Sequence, residues 1–230
     1  TYLNETQNNK LNKIIRTMCG KKDIDKFIKK IYLYHPQLLC YKPKCEIEKI
    51  PSLDRKEKLI EIYNKIFEYK NEFIKQKYIF FEESFFCDKK GIDDMEIILK
   101  IAEVIGKENL LVKLHPRNKI DRFEKYNIAT NKTIGIPWEL IQMNNDFSEK
   151  VLMTISSGSV LASRLYFNDN IKTFLLFNCT NTMSDMVNDK YLEYMDNVKD
   201  CFGMEDFSIP QNENEFLKDL REDYNGRKEK

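Results

Sequence analysis

The chain has 230 residues and carries 38 Lys and Arg against 37 Asp and Glu, which gives a formal net charge of +1. This balance argues against non-specific nucleic-acid binding, which needs a net basic surface. No stretch approaches the roughly 20 apolar residues of a membrane span, and no signal peptide is evident. The six cysteines form no CxxC pair, so we expect reduced thiols and a cytoplasmic protein.

The first 70 residues are expected to form the remnant of an N-terminal domain and a linker helix. A helical pattern lies near residues 23–28, and an apolar strand at 31–34 ends at His35 and the proline that follows it. An amphipathic helix is predicted over residues 54–70, because its apolar positions share one face.

Residues 71–230 alternate apolar strands with helices, which predicts an α/β domain with a Rossmann-like parallel sheet. No glycine-rich dinucleotide fingerprint and no P-loop follows any strand, which argues against classical NAD binding and P-loop chemistry. The predicted strands are 78–81, 110–114, 150–155 and 172–177. The predicted helices are 93–105, 159–167, 184–196 and 213–221. A short helix or turn is expected around 119–126, and a short apolar segment at 134–136 precedes a helix that starts at Pro137.

A histidine and two cations stand at the end of the second predicted strand. Lys113, His115 and Arg117 surround Pro116, which stops the strand because proline lacks a backbone N–H. Ligand sites of open parallel sheets lie at this carboxyl edge, where such cations would neutralise a phosphate. The alternative is a histidine that caps a carbonyl beside solvated basic neighbours.

Three serines and a glycine fill the turn after the third predicted strand. Ser156, Ser157, Gly158 and Ser159 would offer hydroxyl and backbone N–H groups at a helix start, an arrangement that binds anions. An ordinary N-cap is the alternative, because serine is favoured there whatever the function.

Carboxylates supply candidates for ribose binding and for a general base. Glu139 follows Trp138 in the first turn of a short helix, where it suits ribose hydroxyls or complements the helix dipole. The base candidates follow the first predicted strand: Glu82, Glu83, Asp88, Asp93 and Asp94. Asp93 is equally suited to an N-cap, so the residues alone leave the choice open. No metal-ligand spacing and no nucleophile elbow is present.

The ordered motifs resemble those of bacterial sialyltransferases of glycosyltransferase family 52, the type that makes lipooligosaccharide and capsular α-2,3-sialosides. Lys113 to Pro116 resembles the family's HP motif, and Pro137-Trp138-Glu139 its proline–glutamate segment. Ser156-Ser157 resembles the serine motif that polysialyltransferases share. His115 precedes Glu139 by 24 residues and Glu139 precedes Ser156 by 17. The resemblance covers about residues 77–180.

The resemblance implies a GT-B architecture and an inverting, metal-independent transfer without a cofactor. Donor CMP-sialic acid would be bound by Lys113, Pro116, Glu139, Ser156, Ser157 and Ser159, with His115 on the CMP phosphate. The catalytic base would be Asp93, which lies 22 residues before His115. Asp94, Asp88 and Glu83 are alternatives, because Asp93 follows Gly91 instead of preceding a glycine as the family's acidic motif does.

These expectations describe a sialyltransferase that acts on a galactose-terminated surface glycan. Its partners would be the CMP-activated donor and the glycan acceptor, with no nucleic acid. Peripheral contact with the inner face of a bacterial membrane, through basic residues such as Lys10, Lys13 and Arg16, and a homodimer are compatible with it. The alternatives are a GT-B transferase with another nucleotide-sugar donor and a non-catalytic nucleotide- or glycan-binding module.

Overall fold

A computed structural model describes residues 28–40, 42–52, 57–70, 73–88, 91–131, 134–180, 187–203 and 206–228. The chain divides into two compact units, the first ending at Pro51 and the second beginning at Ser52. The helix predicted near 23–28, except its last residue, and the basic residues proposed for membrane contact lie outside the described residues.

The described part of the first unit is built on two parallel strands, β1 (Lys30–Leu33) and β2 (Glu46–Lys49). A short 3-10 turn, Pro36–Leu38, follows β1, so the strand predicted at 31–34 is confirmed with a shift of one residue. The sequence of β2, Glu-Ile-Glu-Lys, is too polar to be recognised as a strand. Lys30 joins the two strands through ion pairs of 3.1 Å to Glu46 and 2.7 Å to Glu48.

The second unit contains a six-stranded sheet in which every paired strand is parallel. Its strands are β3 (Tyr78–Phe81), β4 (Leu110–Lys113), β5 (Ala129–Thr130), β6 (Val151–Thr154), β7 (Lys172–Leu175) and β8 (Phe207–Ser208). The order β5-β4-β3-β6-β7-β8 places the first strand of the unit in the middle, and the chain changes direction across the sheet between β3 and β6. This is the doubly wound, Rossmann-like order, which opens a crevice at the carboxyl ends of those two strands.

Helices connect and flank these strands. They are α1 (Glu57–Ile66), α2 (Phe85–Asp88), α3 (Met95–Ile105), α4 (Trp138–Asn144), α5 (Ala162–Phe167), α6 (Asp189–Phe202) and α7 (Glu213–Lys228). Helix α3 packs against α7, while α4 packs against both α1 and α5. The prediction of an α/β domain with a parallel sheet is confirmed.

The three strands beside the crevice form the centre of the core. All four residues of β3, of β4 and of β6 are buried, which explains why they are nearly continuous apolar runs and do not alternate with polar residues. Lys113 and Thr154 are polar residues in these three strands, and each is the last residue of its strand. The sheet therefore changes from an apolar core to polar groups at its carboxyl edge.

Several element boundaries differ from the sequence prediction. The apolar residues 134–136 form no strand, and the two-residue strand β5 occupies the sheet edge instead. Strands of two residues, such as β5 and β8, are too short to leave a periodic signal. Helix α3 begins at Met95 and not at Asp93. None of the described helices is long and apolar enough to cross a bilayer.

The described cysteines, at positions 40, 45, 87, 179 and 201, are free thiols. Burial, helped by the nearby carboxylates Glu213 and Glu215, raises the pKa of Cys179 to about 12. A thiol with so high a pKa is protonated at neutral pH and is a poor nucleophile.

Candidate functional site

The sheet register places the last residues of three central strands, among them the predicted site residue Lys113, in one row at the carboxyl edge. Phe81 pairs with Lys113 on one side and with Thr154 on the other. Residues in register on neighbouring parallel strands face the same way, so all three side chains lie on one side of the sheet. Two strand spacings separate Lys113 from Thr154, or about 10 Å. This distance suits a small ligand that touches both ends of the row.

Lys113 is a buried cation without a hydrogen bond or ion pair among the described residues. It is 8% exposed, and its Nζ lies 5.9 Å from the centre of the Phe81 ring. Burial lowers the pKa of Lys113, and the more distant carboxylates Glu139 and Glu82 oppose that change. An ammonium group in this position loses much of its hydration and gains no hydrogen bond or ion pair in exchange. The position therefore favours an anionic ligand.

The first turn of α4 brings Glu139 toward Lys113, as their electrostatic interaction indicates. Trp138 is buried against Phe81, with ring centres 4.6 Å apart, and against Phe147 at 5.0 Å. Trp138 is therefore a core residue. Among the described residues, the buried indole N–H of Trp138 has no hydrogen-bond partner.

His115 is half-buried, and its imidazole has a defined orientation. Its Nδ1 accepts the backbone N–H of Arg117 at 3.2 Å, which in the neutral ring leaves the proton on Nε2. Burial lowers the pKa of His115, and the charges of Arg117 and Lys113 lower it further. His115 is thus neutral at pH 7 in the ligand-free protein and offers Nε2–H as a donor.

The residues next to His115 have separate roles. Pro116 is exposed and follows the end of the strand, as its missing N–H requires. Arg117 forms an ion pair with Asp88 at 2.9 Å and donates a hydrogen bond to the Ser84 hydroxyl at 2.8 Å.

Thr154 and Glu83 stabilise the serine turn after β6 by accepting hydrogen bonds from its backbone N–H groups. Thr154 Oγ1 accepts the N–H of Ser157 at 3.2 Å, and Ser157 Oγ accepts the N–H of Ser159 at 3.4 Å as the N-cap of the 3-10 turn Gly158–Leu161. The N-cap interpretation therefore holds for Ser157. The hydroxyl of Ser159 makes no hydrogen bond to the described residues.

Gly158 faces open space, because a Cβ placed on it would meet no atom within 4 Å. Replacing it with alanine is therefore expected to leave the free energy of unfolding within about 0.5 kcal/mol of wild type, as urea unfolding would measure. The same methyl group would stand where a phosphate on the turn must sit, so anion affinity should fall about tenfold. Unchanged affinity would place the anion elsewhere.

Glu83 is the base candidate that lies at the crevice between β3 and β6. Its Oε1 accepts the N–H of Ser156 at 2.8 Å, the Thr154 hydroxyl at 3.0 Å and the Ser156 hydroxyl at 3.2 Å. Burial raises the pKa of Glu83 against these hydrogen bonds, and the charge of Asp94 adds to the rise. A carboxylate with a raised pKa is a stronger base than an ordinary glutamate, which suits proton abstraction.

The other carboxylate candidates have structural partners. The Asp93 side chain is 74% exposed and accepts the N–H of Met95 at 2.9 Å, which caps α3. Asp94 is buried, and its Oδ1 forms an ion pair with Arg122 Nη2 at 2.6 Å. Burial raises the pKa of Asp94, and the interaction with Arg122 opposes that rise. The structure thus brings Glu83, and not Asp93, together with the serines.

Asp93→Ala is expected to lower the free energy of unfolding by about 1 kcal/mol, the usual cost of losing a helix cap. Asp93→Asn should cost less than about 0.5 kcal/mol, because the asparagine oxygen still accepts the Met95 N–H. Urea unfolding of the two variants measures the difference. Equal stability of wild type and Asp93→Ala would contradict the capping role.

Sequence reasoning missed several polar residues that shape this edge. Asn131 accepts the N–H of Leu114 at 2.7 Å, and Asn118 donates to the Glu83 carbonyl at 3.0 Å; both are buried. The buried hydroxyl of Tyr191 in α6 has no hydrogen-bond partner among the described residues, and the charge of Glu83 adds to the effect of burial in raising the pKa of Tyr191. No local pattern marks these residues, because each meets the site through a contact distant in sequence.

No protein-family model matches the chain, and no curated protein matches it either. Within the described ranges no group of three or more His, Cys, Asp or Glu side chains is placed to hold a metal ion. What the fold and site define is a Rossmann-like α/β protein with polar groups at the carboxyl edge of its sheet, where the strand order reverses: Lys113 at the end of β4 and hydroxyl groups after β6.

Proposed function

We propose that the crevice binds the CMP moiety of an activated sialic acid and that the protein is a sialyltransferase. The observation that carries the proposal is Lys113 at the end of a central strand, whose residue is 8% exposed and which has no hydrogen-bond or ion-pair partner among the described residues. An unpaired buried charge costs stability, so its presence is explained when a ligand supplies the missing anion. A nucleoside phosphate is such a ligand.

The polar residues at the carboxyl edge of the sheet suit different parts of CMP. The Nε2–H of His115 and the turn with Ser156, Ser157 and Ser159 would hold the phosphate. Because α5 has only six residues, its dipole adds little, and hydrogen bonds and cations must do most of the binding. Glu139, which lies near Lys113, would accept hydrogen bonds from the ribose hydroxyls.

The transfer follows from these positions. The acceptor hydroxyl oxygen would attack the anomeric carbon of the sialic acid while the bond from that carbon to the phosphate oxygen breaks. CMP leaves with the bonding electrons, and Glu83 takes the hydroxyl proton. Attack opposite the leaving group inverts the configuration. His115 and Lys113 would stabilise the negative charge that grows on the phosphate.

Glu83 replaces Asp93 as the preferred base in this proposal. Support comes from the three hydrogen bonds that tie Glu83 to the crevice residues Thr154 and Ser156, whereas Asp93 faces solvent and caps a helix. Asp88 and Asp94 are engaged by Arg117 and Arg122. The GT-B architecture, a galactose-terminated acceptor, peripheral membrane contact and a homodimer belong to the same proposal.

A non-catalytic nucleotide-binding module is the second candidate. The observation that favours it is the position of Asp93, since the carboxylate that best matches the family spacing is a helix cap. This candidate binds CMP through the same residues but releases none from CMP-sialic acid, with or without an acceptor.

Competition among donors tests the proposal. CMP is expected to displace a fluorescent CMP analogue at least tenfold more effectively than UMP or UDP, and CMP-sialic acid with lactose as acceptor should release CMP. Preference for UDP would identify a different nucleotide-sugar donor. Displacement without CMP release would favour the binding module.

A further inference from the structure

Glu82, one of the base candidates, is a buried carboxylate whose partners give it a different role. Its side chain has no exposed surface, and it follows β3 on the face opposite Phe81 and Lys113, since side chains alternate along a strand. Its Oε2 accepts the backbone N–H of His115 at 2.9 Å. The carboxylate therefore holds His115, the second residue beyond the neighbouring strand β4.

Arg122 fixes Glu82 from the other side. Its Nε and Nη2 lie 3.2 Å and 2.8 Å from Glu82 Oε1, and Nη2 also donates to Asp94 at 2.6 Å. The guanidinium carbon lies 4.6 Å from the ring centre of Phe86 and 5.3 Å from that of Phe123. An arginine held by two carboxylates and two rings has little freedom to move.

This cluster joins three segments that are distant in sequence: the end of β3, the start of α3 and the loop that follows His115. The chain from His115 to Arg122 leaves the sheet and returns to it through the Arg122–Glu82 ion pair. His115 is thus anchored by its own N–H and by the far end of its loop. The same loop supplies the Arg117 N–H that the imidazole Nδ1 accepts.

We propose that Glu82 and Arg122 are positioning residues that hold His115 in its Nε2–H tautomer with that proton directed to a ligand. The orientation itself does not depend on the proposed function; only the identity of the ligand does. His115 Nε2 makes no hydrogen bond to the described residues, as expected of a donor kept for an external acceptor. Without the anchor, the loop would lose the Arg117 contact and the imidazole would sample both tautomers.

Nitrogen NMR of the labelled imidazoles tests the proposal in the full chain without any ligand. The sequence has two histidines, so His115→Gln assigns the signals. We expect wild-type His115 to be almost entirely the Nε2–H tautomer. Glu82→Gln and Arg122→Lys, which keep the side-chain volume, should each give a mixture of tautomers.

The pKa of His115 provides a second readout in the same samples. Lys113 and Arg117 lower it, whereas Glu82 and Asp88 raise it. Glu82→Gln should therefore lower the pKa of His115 further, and Glu103→Gln, an exposed change on α3, should not. Arg221→Lys, exposed on α7, is the matched control for Arg122→Lys.

The proposal is overturned if every cluster variant that folds, as judged by its amide spectrum, keeps both the wild-type tautomer and the wild-type pKa of His115. A tautomer mixture in a folded cluster variant, absent from the controls, supports it. CMP affinity is measured separately. If the tautomer responds but CMP does not bind to wild type, the positioning role stands and the proposed nucleotide is wrong.

Discussion

Lys113→Met is expected to weaken CMP binding at least a hundredfold, or about 2.7 kcal/mol, and at the same time to raise the free energy of unfolding. The affinity falls because the variant removes the buried cation at the end of β4 that would meet the ligand's negative charge. Stability rises by about 1–3 kcal/mol, because methionine fills the site without the cost of an unpaired buried charge.

The pH dependence of the stability gain follows from the lowered pKa of Lys113. A lysine whose folded pKa is lowered destabilises the fold while it is protonated, and the cost disappears as the pH rises. The advantage of Lys113→Met over wild type should therefore be largest near neutral pH and shrink as the pH rises through the lowered pKa toward 10.5, the ordinary value.

Lys107→Met is the matched control, because Lys107 is exposed and precedes β4 at the opposite edge of the sheet. It should change neither CMP affinity nor stability by more than about 0.5 kcal/mol. Calorimetric titration measures the affinity, and urea unfolding measures the stability. A less stable Lys113→Met variant with normal affinity would make Lys113 a structural residue.

Glu83→Gln is expected to reduce the rate of sialic acid transfer by a factor of about 10²–10⁴, the usual contribution of a general base. CMP affinity should stay within about threefold of wild type. The glutamine oxygen still accepts the Ser156 and Thr154 hydrogen bonds that organise the turn, so the variant separates proton abstraction from the shape of the site.

Glu83→Gln should lower the activity without lowering the free energy of unfolding at pH 7. Because the pKa of Glu83 is raised in the folded protein, its ionisation weakens the fold once the pH exceeds the ordinary value of 4.5. Glu83→Gln removes that loss and should be at least as stable as wild type at pH 7, while the two should converge at lower pH. Thermal unfolding at pH 4 and pH 7 measures this convergence.

Asp93→Asn is the comparison that decides between the two carboxylates. It keeps the cap of α3 and should retain transfer within about threefold of wild type. Loss of transfer in Asp93→Asn with normal transfer in Glu83→Gln would return the base to Asp93. That result would require Asp93 to leave its capping position when the acceptor binds.

The apolar runs of the second unit were sufficient to predict its parallel sheet. Residues 78–81 form a strand as predicted, and 110–113 form one that is a residue shorter, because a strand buried on both faces leaves a continuous hydrophobic signal. The edge strands β5 and β8 left none. The end of β4 was also predictable from Pro116, whose missing N–H forbids another ladder bond.

The polar edge of the sheet was predictable only in part. The serine turn and the position of His115 follow from strand ends, which local sequence marks. The roles of Glu82, Glu83 and Arg122 depend on contacts between segments that are 28 or more residues apart, such as Arg122 to Asp94, Glu82 to His115 and Glu83 to Ser156. Family spacing favoured Asp93 as the base, but the start of α3 requires a cap at that position.

Calorimetric titration of CMP into the wild-type chain tests the central claim most directly, with cytidine and UMP titrated in parallel. The account predicts that CMP binds and that cytidine binds at least tenfold more weakly, because it lacks the phosphate. His115→Ala should weaken CMP binding by about 1.4 kcal/mol or more, roughly tenfold. Absence of CMP binding by the folded chain, or equal binding of CMP and cytidine, would contradict a phosphate site at the ends of β4 and β6.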